Sequence, residues 1–318
     1  MNFKVYRMNF RSAVHFGNGK LNTSGYTLTA SRLFAAICQE ALHENGAEGL
    51  ERLVDLCHSD ALRLTDAFPF GPDASSGTQY YVPKPLLYVE HGENEGSSVL
   101  KKQVKKLKYI GVNQMEAYLS GSLDVKNANE AFSKIGRTDV REMSAVKDLD
   151  SAVPYPVGTF CFSKGWGLYC IIGYEDEEIL FWIEDLLVSL GYSGIGGKKT
   201  DGLGQFELQF GNDFPAEIMG NLSVEQNLKG RYVLLASAMA ESLNDGILEN
   251  ASYSIGKSSG FIASASYAET LRKKRDFFYF ESGSVFSKTF RGQIADVSSR
   301  GTHPVSGYYM PVFLEVPA

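Results

Sequence analysis

Apolar and polar residues repeat with two different periods along the first part of this chain. Alternation over residues 3–10 predicts a strand, because successive side chains of a strand point to opposite faces. An apolar face that recurs at helical spacing predicts a helix over residues 30–43, which Thr29 can cap. Residues 62–68 predict the next strand. The chain therefore opens with a strand, a helix and a strand.

The same two periods return in the middle of the chain. Residues 157–163 and 166–174 predict two strands. An acidic first turn followed by one apolar face predicts a helix over residues 175–190, which Gly191 ends. Residues 204–210 predict a further strand. This order of elements is that of a ferredoxin-like βαββαβ unit, the fold of many RNA-recognition modules.

The intervening segment, residues 69–155, has few sustained apolar patterns, which predicts an insertion that projects from the domain and is partly mobile. Residues 98–147 within it carry ten Lys/Arg and five Asp/Glu, a net charge of +5 (10 − 5), whereas the whole chain is at −6. The remainder is therefore at −11 (−6 − 5). A basic insert on an acidic body is typical of a protein that touches RNA with part of its surface and protein with the rest.

Strand patterns dominate beyond a predicted linker at residues 211–230, and helices are few. The predicted strands are residues 232–240, 261–266, 277–281, 285–297 and 308–316. We therefore predict an α+β protein of two domains. Residues 1–212 are predicted to form a ferredoxin-like (RRM-like) domain. Residues 213–318 are the second domain, and a degenerate copy of the first is one interpretation of their strands, although no repeat is visible in the sequence.

Composition removes several classes of protein from consideration. Hydrophobic residues make up 44% and charged residues 21%, which is typical of a globular chain and not of a disordered one. The most apolar stretch, residues 179–190, is too short and too charged to span a membrane, and residues 1–6 lack the apolar core of a signal peptide, so a cytoplasmic protein is expected. The four cysteines form no CxxC pair and the five histidines have no metal-binding spacing, so neither a metal site nor a cofactor is expected.

Residues 191–204 hold six glycines and the pair Lys198–Lys199 between a helix and a strand. A P-loop is excluded because Tyr192 stands where its first glycine belongs, Lys199 stands where Ser or Thr belongs, and a strand follows instead of a helix. A dinucleotide fingerprint fails because Glu207 occupies its last glycine position. Two interpretations stay open: a backbone cradle for an RNA strand, with lysines that neutralise phosphates, or a flexible connector.

A second short loop, residues 256–260, matches the GxSxG pattern of a hydrolase nucleophile elbow. An elbow needs a helix after it, whereas a strand is predicted there, and His303 is the only histidine downstream. A second loop of glycine, serine and lysine that binds an RNA backbone fits better. The basic run at residues 272–275 fits a solvated strand end and a phosphate contact equally well.

Seven short motifs, in this order along the chain, resemble those of one family. They are FRSAVHFGNG (residues 10–19), TLTASRLF (27–34), LTDAFPF (64–70), PKP (83–85), YSGIGGKK (192–199), KSSGF (257–261) and GSVFSKTF (283–290). Together they span nearly the whole chain. In these motifs the chain is similar to the RAMP-superfamily subunit that caps type III-A CRISPR effector (Csm) complexes, the fourth Csm subunit.

The resemblance implies two ferredoxin-like domains, with a thumb-like insertion at residues 69–155 that kinks the RNA. It implies a non-catalytic subunit, one copy per complex, that holds the repeat-derived 5′ handle of CRISPR RNA. Its implied protein partners are the large polymerase-like Csm subunit and a backbone RAMP Csm subunit, and no membrane is involved. Cleavage would belong to these partners, which agrees with the absence of catalytic motifs from the sequence.

Carried over by position, the resemblance assigns the first RNA contacts to a loop and a helix start. His15, Phe16 and Gly17 would shape the loop beside the RNA, where His15 or Phe16 stacks on a base. Arg32 would meet a phosphate or a base edge. The alternatives are packing within the loop for His15 and Phe16, and a surface salt bridge for Arg32.

The remaining contacts implied by the resemblance lie in loops rich in glycine, serine and lysine. The main cradle would consist of Gly194, Gly196, Gly197, Lys198 and Lys199. The second cradle would consist of Lys257, Ser258 and Ser259. The basic run would add Lys273 and Lys274.

Three alternatives to this function stay open. The chain could be a CRISPR-repeat endoribonuclease of the same superfamily, for which His15 is the one good candidate for the general base. It could be an assembly subunit that never touches RNA. It could also be the equivalent subunit of the sister type III-B complexes, although the motifs fit type III-A better.

Overall fold

A computed structural model describes residues 1–73, 77–89, 97–148, 151–243, 246–264 and 266–317. Two sheets dominate it. The elements of the first half, in chain order, are β1 (Asn2–Phe10), β2 (Phe16–Gly17), β3 (Ser24–Gly25), α1 (Ala30–His58), β4 (Leu62–Leu64), β5 (Phe68–Pro72), β6 (Thr78–Pro83), α2 (Ser97–Lys106), β7 (Tyr109–Gly111), α3 (Met115–Leu119), α4 (Val125–Phe132), β8 (Gly136–Asp148), β9 (Ser151–Phe162), β10 (Gly167–Tyr174), α5 (Glu177–Ser193) and β11 (Phe206–Phe210).

The elements of the second half are shorter. They are α6 (Ala216–Gly220), β12 (Leu222–Ser223), β13 (Lys229–Leu234), β14 (Ile255–Ser258), β15 (Phe277–Phe280), β16 (Val285–Lys288), β17 (Gln293–Asp296), β18 (Ser306–Tyr309) and β19 (Phe313–Glu315). Single turns of 3-10 helix occur at Val112–Gln114, Ser133–Ile135 and Lys199–Asp201.

The first sheet has the order β11-β1-β10-β5-β6-β7, and β4 also pairs with β10. All of its strand pairs are antiparallel. Within the predicted βαββαβ unit, β1 is the first strand, β4 with β5 the second, β10 the third and β11 the fourth. Their spatial order is therefore 4-1-3-2.

The two long helices pack on this sheet through one apolar core. Leu33, Phe34 and Ile37 of α1 and Ile183 and Leu187 of α5 are fully buried there. Residues that alternate along β1 and β10 supply the opposing side, as the period of two predicted. The predicted positions of both helices are thus confirmed, although neither ends where the sequence suggested.

Both helices run further than the sequence predicted. Helix α1 was predicted to stop at residue 43, but it resumes after Gly46, whose φ of 67° interrupts it, and it buries Leu53 and Cys57. Helix α5 continues through Gly191 to Ser193, and Gly194 is its C-cap. A side chain at Gly191 would lie 2.6 Å from the carbonyl oxygen of Phe206, so this glycine permits close helix–strand packing and does not end the helix.

The prediction that residues 69–155 project as an insertion is wrong for its first part. Strands β5, β6 and β7 extend the main sheet and bury Phe70, Tyr80 and Ile110. Their short runs, bounded by proline and glycine, carry no sustained period and so escaped detection. The part that projects is the β8–β9 hairpin, which pairs along residues 136–162 and exposes its residues 137–142 to solvent.

The second sheet has the order β12-β19-β13-β16, with two-stranded ribbons β14–β15 and β17–β18 beside it. The predicted strand at 261–266 is wrong, since residues 261–264 form only a single bridge, from Phe261 to Lys273, and residue 265 lies outside the described part of the chain. The predicted linker at 211–230 contains α6 and β12. The predicted strands 285–297 and 308–316 are each two strands, divided by a loop.

Asp66 joins the two halves. Its Oδ1 accepts hydrogen bonds from the backbone N–H groups of Ala30 (2.7 Å) and Ser237 (2.8 Å), and its Oδ2 accepts one from the Ser237 hydroxyl (2.9 Å). Thr29 gives α1 no side-chain cap, so Asp66 takes that role from a distant part of the chain. The same contact interrupts the predicted strand 62–68 between β4 and β5.

The predicted boundary between residues 212 and 213 stays a prediction.

Candidate nucleic-acid interface

The glycine-rich segment, residues 191–204, folds as an ordered loop. The backbone N–H of Ile195 donates to the carbonyl of Gly204 (3.0 Å), and Gly204 donates to Ala13 (2.9 Å). A Cβ at Gly204, whose φ is 79°, would collide with the Ile195 carbonyl oxygen. The loop is therefore closed by backbone contacts that only glycine permits, and the prediction of a flexible connector does not describe it.

The predicted cradle is only partly available to a phosphate. The N–H of Gly194 donates to Leu190 (2.8 Å) and that of Gly197 donates to the His15 carbonyl (2.9 Å). These two donors are committed within the protein. Gly196, with a φ of 100°, lies against His15 and Phe16, where a Cβ would come within 2.8 Å of the His15 carbonyl oxygen. The glycines thus shape the loop, and the lysines are its main groups that could meet a phosphate.

Both lysines of this loop have neutral partners. The Lys198 ammonium donates to the Tyr155 hydroxyl on β9 (2.6 Å) and lies 4.6 Å from the centre of that ring. The Lys199 ammonium donates to Oε1 of Gln39 on α1 (2.9 Å). Because hydroxyl and amide partners carry no charge, the loop presents two cationic groups held in place on either side.

His15 and Phe16 are buried, with 8% and 1% of their surfaces exposed. Nδ1 of His15 lies 2.6 Å from the Gly158 carbonyl oxygen, so this nitrogen carries the proton and donates it to β9. The Phe16 ring packs edge-on against Phe10. Packing within the loop removes both rings from the surface, which favours the alternative of loop packing, and the stacking of either ring on a base stays a prediction.

Arg32 is exposed at the start of α1, and its Nη2 donates to the carbonyl of Gly17 (2.8 Å). This partner is a backbone oxygen and not the carboxylate that a surface salt bridge would supply. Burial, followed by the positive charge of Arg32, lowers the pKa of Lys274. Lys274 in turn donates to the Ser258 hydroxyl (2.7 Å). The fold therefore brings Arg32, Ser258 and Lys274 together from both halves of the chain.

Lys257, Lys273 and Ser259 lie at the edge of this group. Lys257 forms an exposed ion pair with Asp276 (3.0 Å), and the carboxylate offsets the positive charge of the lysine. Lys273 lies 5.7 Å from the centre of the exposed Phe261 ring. Ser259 is exposed beside Ser258.

The loop at residues 15–17 contacts both the glycine-rich segment, through the hydrogen bond from Gly197 to His15, and Arg32, through its hydrogen bond to Gly17. The cationic side chains beside these contacts, Lys198, Lys199, Arg32 and Lys274, are called the cationic surface below.

Sequence reasoning missed two residues of this surface, Tyr155 and Gln39. Gln39 stands seven residues after Arg32, two helical turns along the same face of α1, and this spacing could have revealed it. Tyr155 lies in the segment that was interpreted as a mobile insertion, and no local pattern marked it. In the described ranges, no group of three or more His, Cys, Asp or Glu residues is placed to hold a metal ion, and no helix is long and apolar enough to cross a membrane.

Relatives of this chain identify its family. Residues 227–316 match the model of the CRISPR Csm4 C-terminal domain. The chain is 36% identical over 324 aligned residues to the CRISPR system Cms protein Csm4 of Mycobacterium tuberculosis, and the alignment covers 100% of this chain and 99% of that one. This chain belongs to the Csm4 family. The identity suggested by the seven motifs is confirmed, and the Csm4 C-terminal domain corresponds to the part of the chain that holds β13 to β19.

Solved Csm4 structures share this fold. The crystal structure of the Csm3–Csm4 subcomplex in the type III-A CRISPR-Cas interference complex matches with a TM-score of 0.64 at 17% identity, over 99% of this chain and 100% of that one. The Csm1–Csm4 cassette in complex with cA4 matches with a TM-score of 0.58 at 16% identity, over 99% of each chain. The predicted α+β class is thereby confirmed for this Csm4-family chain.

Proposed function

We propose that this chain holds the 5′ handle of CRISPR RNA within a type III-A interference complex. The observation that supports this most directly is the cationic surface of Lys198, Lys199, Arg32 and Lys274, in which residues 15–17 contact both the glycine-rich segment and Arg32. Arginine and lysine on ordered loops position an RNA backbone, and single-stranded RNA is bound chiefly through such contacts. Membership of the Csm4 family gives the surface its biological setting, antiviral defence guided by CRISPR RNA.

Two ferredoxin-like domains are part of this proposal. The 4-1-3-2 order of the first sheet is the one that a ferredoxin-like βαββαβ unit forms. In the second sheet, β13, β16 and β19 lie in the order β19-β13-β16, which is the order of the first, third and fourth strands of the same unit. Relative to a complete βαββαβ unit, this second unit would have lost or altered its second strand and its two packed helices. It would therefore be a degenerate copy.

The β8–β9 hairpin is the proposed thumb. Its two strands are long and exposed over residues 137–142, and Tyr155, which pairs with Met143 about midway along the hairpin, contacts Lys198. A ribbon that rises from the edge of the cationic surface is placed to bend an RNA strand that leaves it. The thumb is therefore assigned to residues 136–162 and not to the whole of residues 69–155.

The proposed partners follow from the complexes of relatives. Csm4 has been crystallised with Csm3 and, separately, with Csm1. We propose that one copy of this chain bridges a backbone RAMP subunit of the Csm3 kind and a large subunit of the Csm1 kind in the cytoplasm. The chain outside residues 98–147 is acidic as a whole, although it includes the cationic surface, and its other residues are available for these protein contacts.

We further propose that the chain binds RNA without cleaving it. The endoribonuclease alternative depends on His15 as the general base. Its ring is 8% exposed and its Nδ1 is bonded to Gly158, so it could not easily reach a ribose hydroxyl. Cleavage of repeat RNA by the purified chain, lost in His15→Ala, would support the alternative.

RNA crosslinking in the reconstituted complex tests the proposed function. We expect Lys198→Ala/Lys199→Ala to lose most crosslinks to the 5′ handle, because two phosphates lose their counter-charges. The slope of log affinity against log salt concentration should become shallower by about 1.4, or about 0.7 for each lost contact with single-stranded RNA. Guides with native and scrambled handles separate handle contacts from general RNA contacts.

The matched control is Lys229→Ala/Lys288→Ala, which removes two lysines that face each other in the register of β13 and β16, outside both the glycine-rich segment and the basic residues 98–147. It should leave the handle crosslinks at wild-type intensity. Unchanged crosslinks in the Lys198/Lys199 variant would show that this loop is structural. If the wild-type chain gives no handle crosslinks, the result favours an assembly subunit that does not touch RNA.

A further inference from the structure

One edge of the main sheet is open. Within the described part of the chain β11 pairs with β1 alone, so the other side of β11 has no neighbouring strand. The N–H of Gly211, just beyond β11, donates to the carbonyl of Val5 (2.9 Å). Because bonded pairs alternate along an antiparallel ladder, the odd-numbered residues of β11 bond to β1, and Leu208 and Phe210 direct their N–H and C=O groups outward. These groups have no hydrogen-bond partner among the described residues.

The open edge lacks the features that usually prevent such an edge from pairing. Most proteins place lysine or proline there, or cover the edge with another element. Leu208 and Phe210 are neither charged nor proline, and the Phe210 side chain is exposed. Helix α5 covers only the start of the strand, where the carbonyl oxygen of Phe206 lies against Gly191. The rest of the edge is therefore available to a further strand.

The flank of α5 beside this edge is apolar. Glu184 marks the flank, because its carboxylate accepts a hydrogen bond from Lys4 (2.8 Å), and the same ammonium lies 4.7 Å from the centre of the Phe210 ring. Phe181 and Val188 stand three residues before and four after Glu184, on the same face of the helix. Their surfaces are 58% and 46% exposed. Phe181, Val188 and Phe210 thus form an exposed apolar wall along the open edge.

The charge of this flank has one sign. Residues 175–197, which include the whole of α5, hold six Asp/Glu and no Lys/Arg. Three of these acids, Glu177, Glu178 and Asp185, are exposed. An RNA strand would be repelled here, whereas a basic protein segment is complementary in charge. A second copy of this chain is disfavoured, because edge-to-edge pairing about a two-fold axis would bring two acidic flanks together.

We propose that the open edge of β11 receives an extended segment of a partner subunit, which adds a strand to the main sheet. The segment is apolar where it passes Phe181, Val188 and Phe210, and it carries Lys or Arg toward the acidic first turn of α5. In such strand addition the main-chain hydrogen bonds give affinity and the side-chain pattern gives specificity. This proposal rests on the proposed function, since it locates on this chain the contact with one of the two proposed partner subunits.

Phe181→Lys/Val188→Lys tests the surface in the complex reconstituted from purified subunits. Both side chains are exposed, so the variant should keep the thermal midpoint of the wild type. The two lysines remove the apolar contact and repel a basic segment, so we expect the affinity for one partner subunit to fall about a hundredfold.

Phe181→Glu/Val188→Glu is the matched control. It removes the same apolar surface but keeps the attraction for a basic segment, so we expect a loss of only about tenfold. Unchanged affinity for both partner subunits in the lysine variant overturns the proposal. Equal losses in the two variants overturn the basic character of the segment.

Amide hydrogen exchange at single-residue resolution tests strand addition itself. In the free chain the N–H groups of Leu208 and Phe210 should exchange fast, whereas those of Glu207 and Gln209, bonded to β1, exchange slowly. In the complex we expect the first two to slow about a hundredfold or more. If they stay fast in an assembled complex, no strand is added.

Two further results are distinguishable from these. A dimer of the free chain that Phe181→Lys/Val188→Lys dissociates would assign the edge to a second copy and overturn the proposal. If the wild-type chain retains neither partner subunit, the partners of the proposed function fail, and the strand at β11 fails with them.

Discussion

We expect Asp66→Ala to lower the free energy of unfolding by about 3 to 5 kcal/mol. The substitution leaves the N–H groups of Ala30 and Ser237 and the Ser237 hydroxyl buried without an acceptor. It also removes the tertiary cap of α1 and a link between the halves. Chemical denaturation followed by circular dichroism measures the loss as a fall in the transition midpoint.

Asp66→Asn is the matched control. Its amide oxygen can keep the two backbone hydrogen bonds that Oδ1 now accepts, and the Ser237 hydroxyl can rotate to accept from the new N–H group. We expect a loss of about 1 kcal/mol. Equal losses for alanine and asparagine would mean that the negative charge, and not the set of hydrogen bonds, is what matters at this position.

The second large effect is expected at Gly204. Gly204→Ala places a Cβ against the Ile195 carbonyl oxygen and forces an L-residue to a φ of 79°. The loop must open to relieve this collision, which displaces Lys198 and Lys199 together. We expect a loss of about 3 kcal/mol in stability and loss of the handle crosslinks.

Gly202→Ala separates the effect of backbone strain from the effect of the Cβ collision. Gly202 has nearly the same φ, 78°, but a Cβ there meets no atom within 4 Å. The backbone strain alone should cost about 1 kcal/mol and leave the handle crosslinks in place. If both variants behave alike, the closed shape of the loop is not required for RNA binding.

The first four-stranded unit could be predicted because its periods are local. Six segments, residues 3–10, 30–43, 62–68, 166–174, 175–190 and 204–210, each carry a local pattern, and together they give the βαββαβ order. Strands β5 to β7 could not be found this way, since each is short and buried on a sheet that other segments complete. The end of α5 depended on the close approach of Gly191 to Phe206, and α1 resumes after Gly46 to bury Leu53, which only the packed structure reveals.

Some residues of the candidate site could likewise be predicted from the sequence, and others depended on the fold. Lys198 and Lys199 were predicted from the local chemistry of a glycine-rich loop, and Arg32 was predicted by its position in a family motif. The sequence left base stacking and loop packing open for His15 and Phe16, because their burial depends on Gly158 and Phe10, which reach them through the fold.

The sequence by itself determined the α+β class, the family and the cationic character of the glycine-rich segment, because local period and short motifs carry that information. The tertiary structure alone decided that Lys274 meets Arg32 and that Asp66 caps a helix 36 residues away from it in the chain. These features arise from contacts between segments distant in sequence. Such contacts form only when the two sheets pack, so no local pattern of residues can specify them.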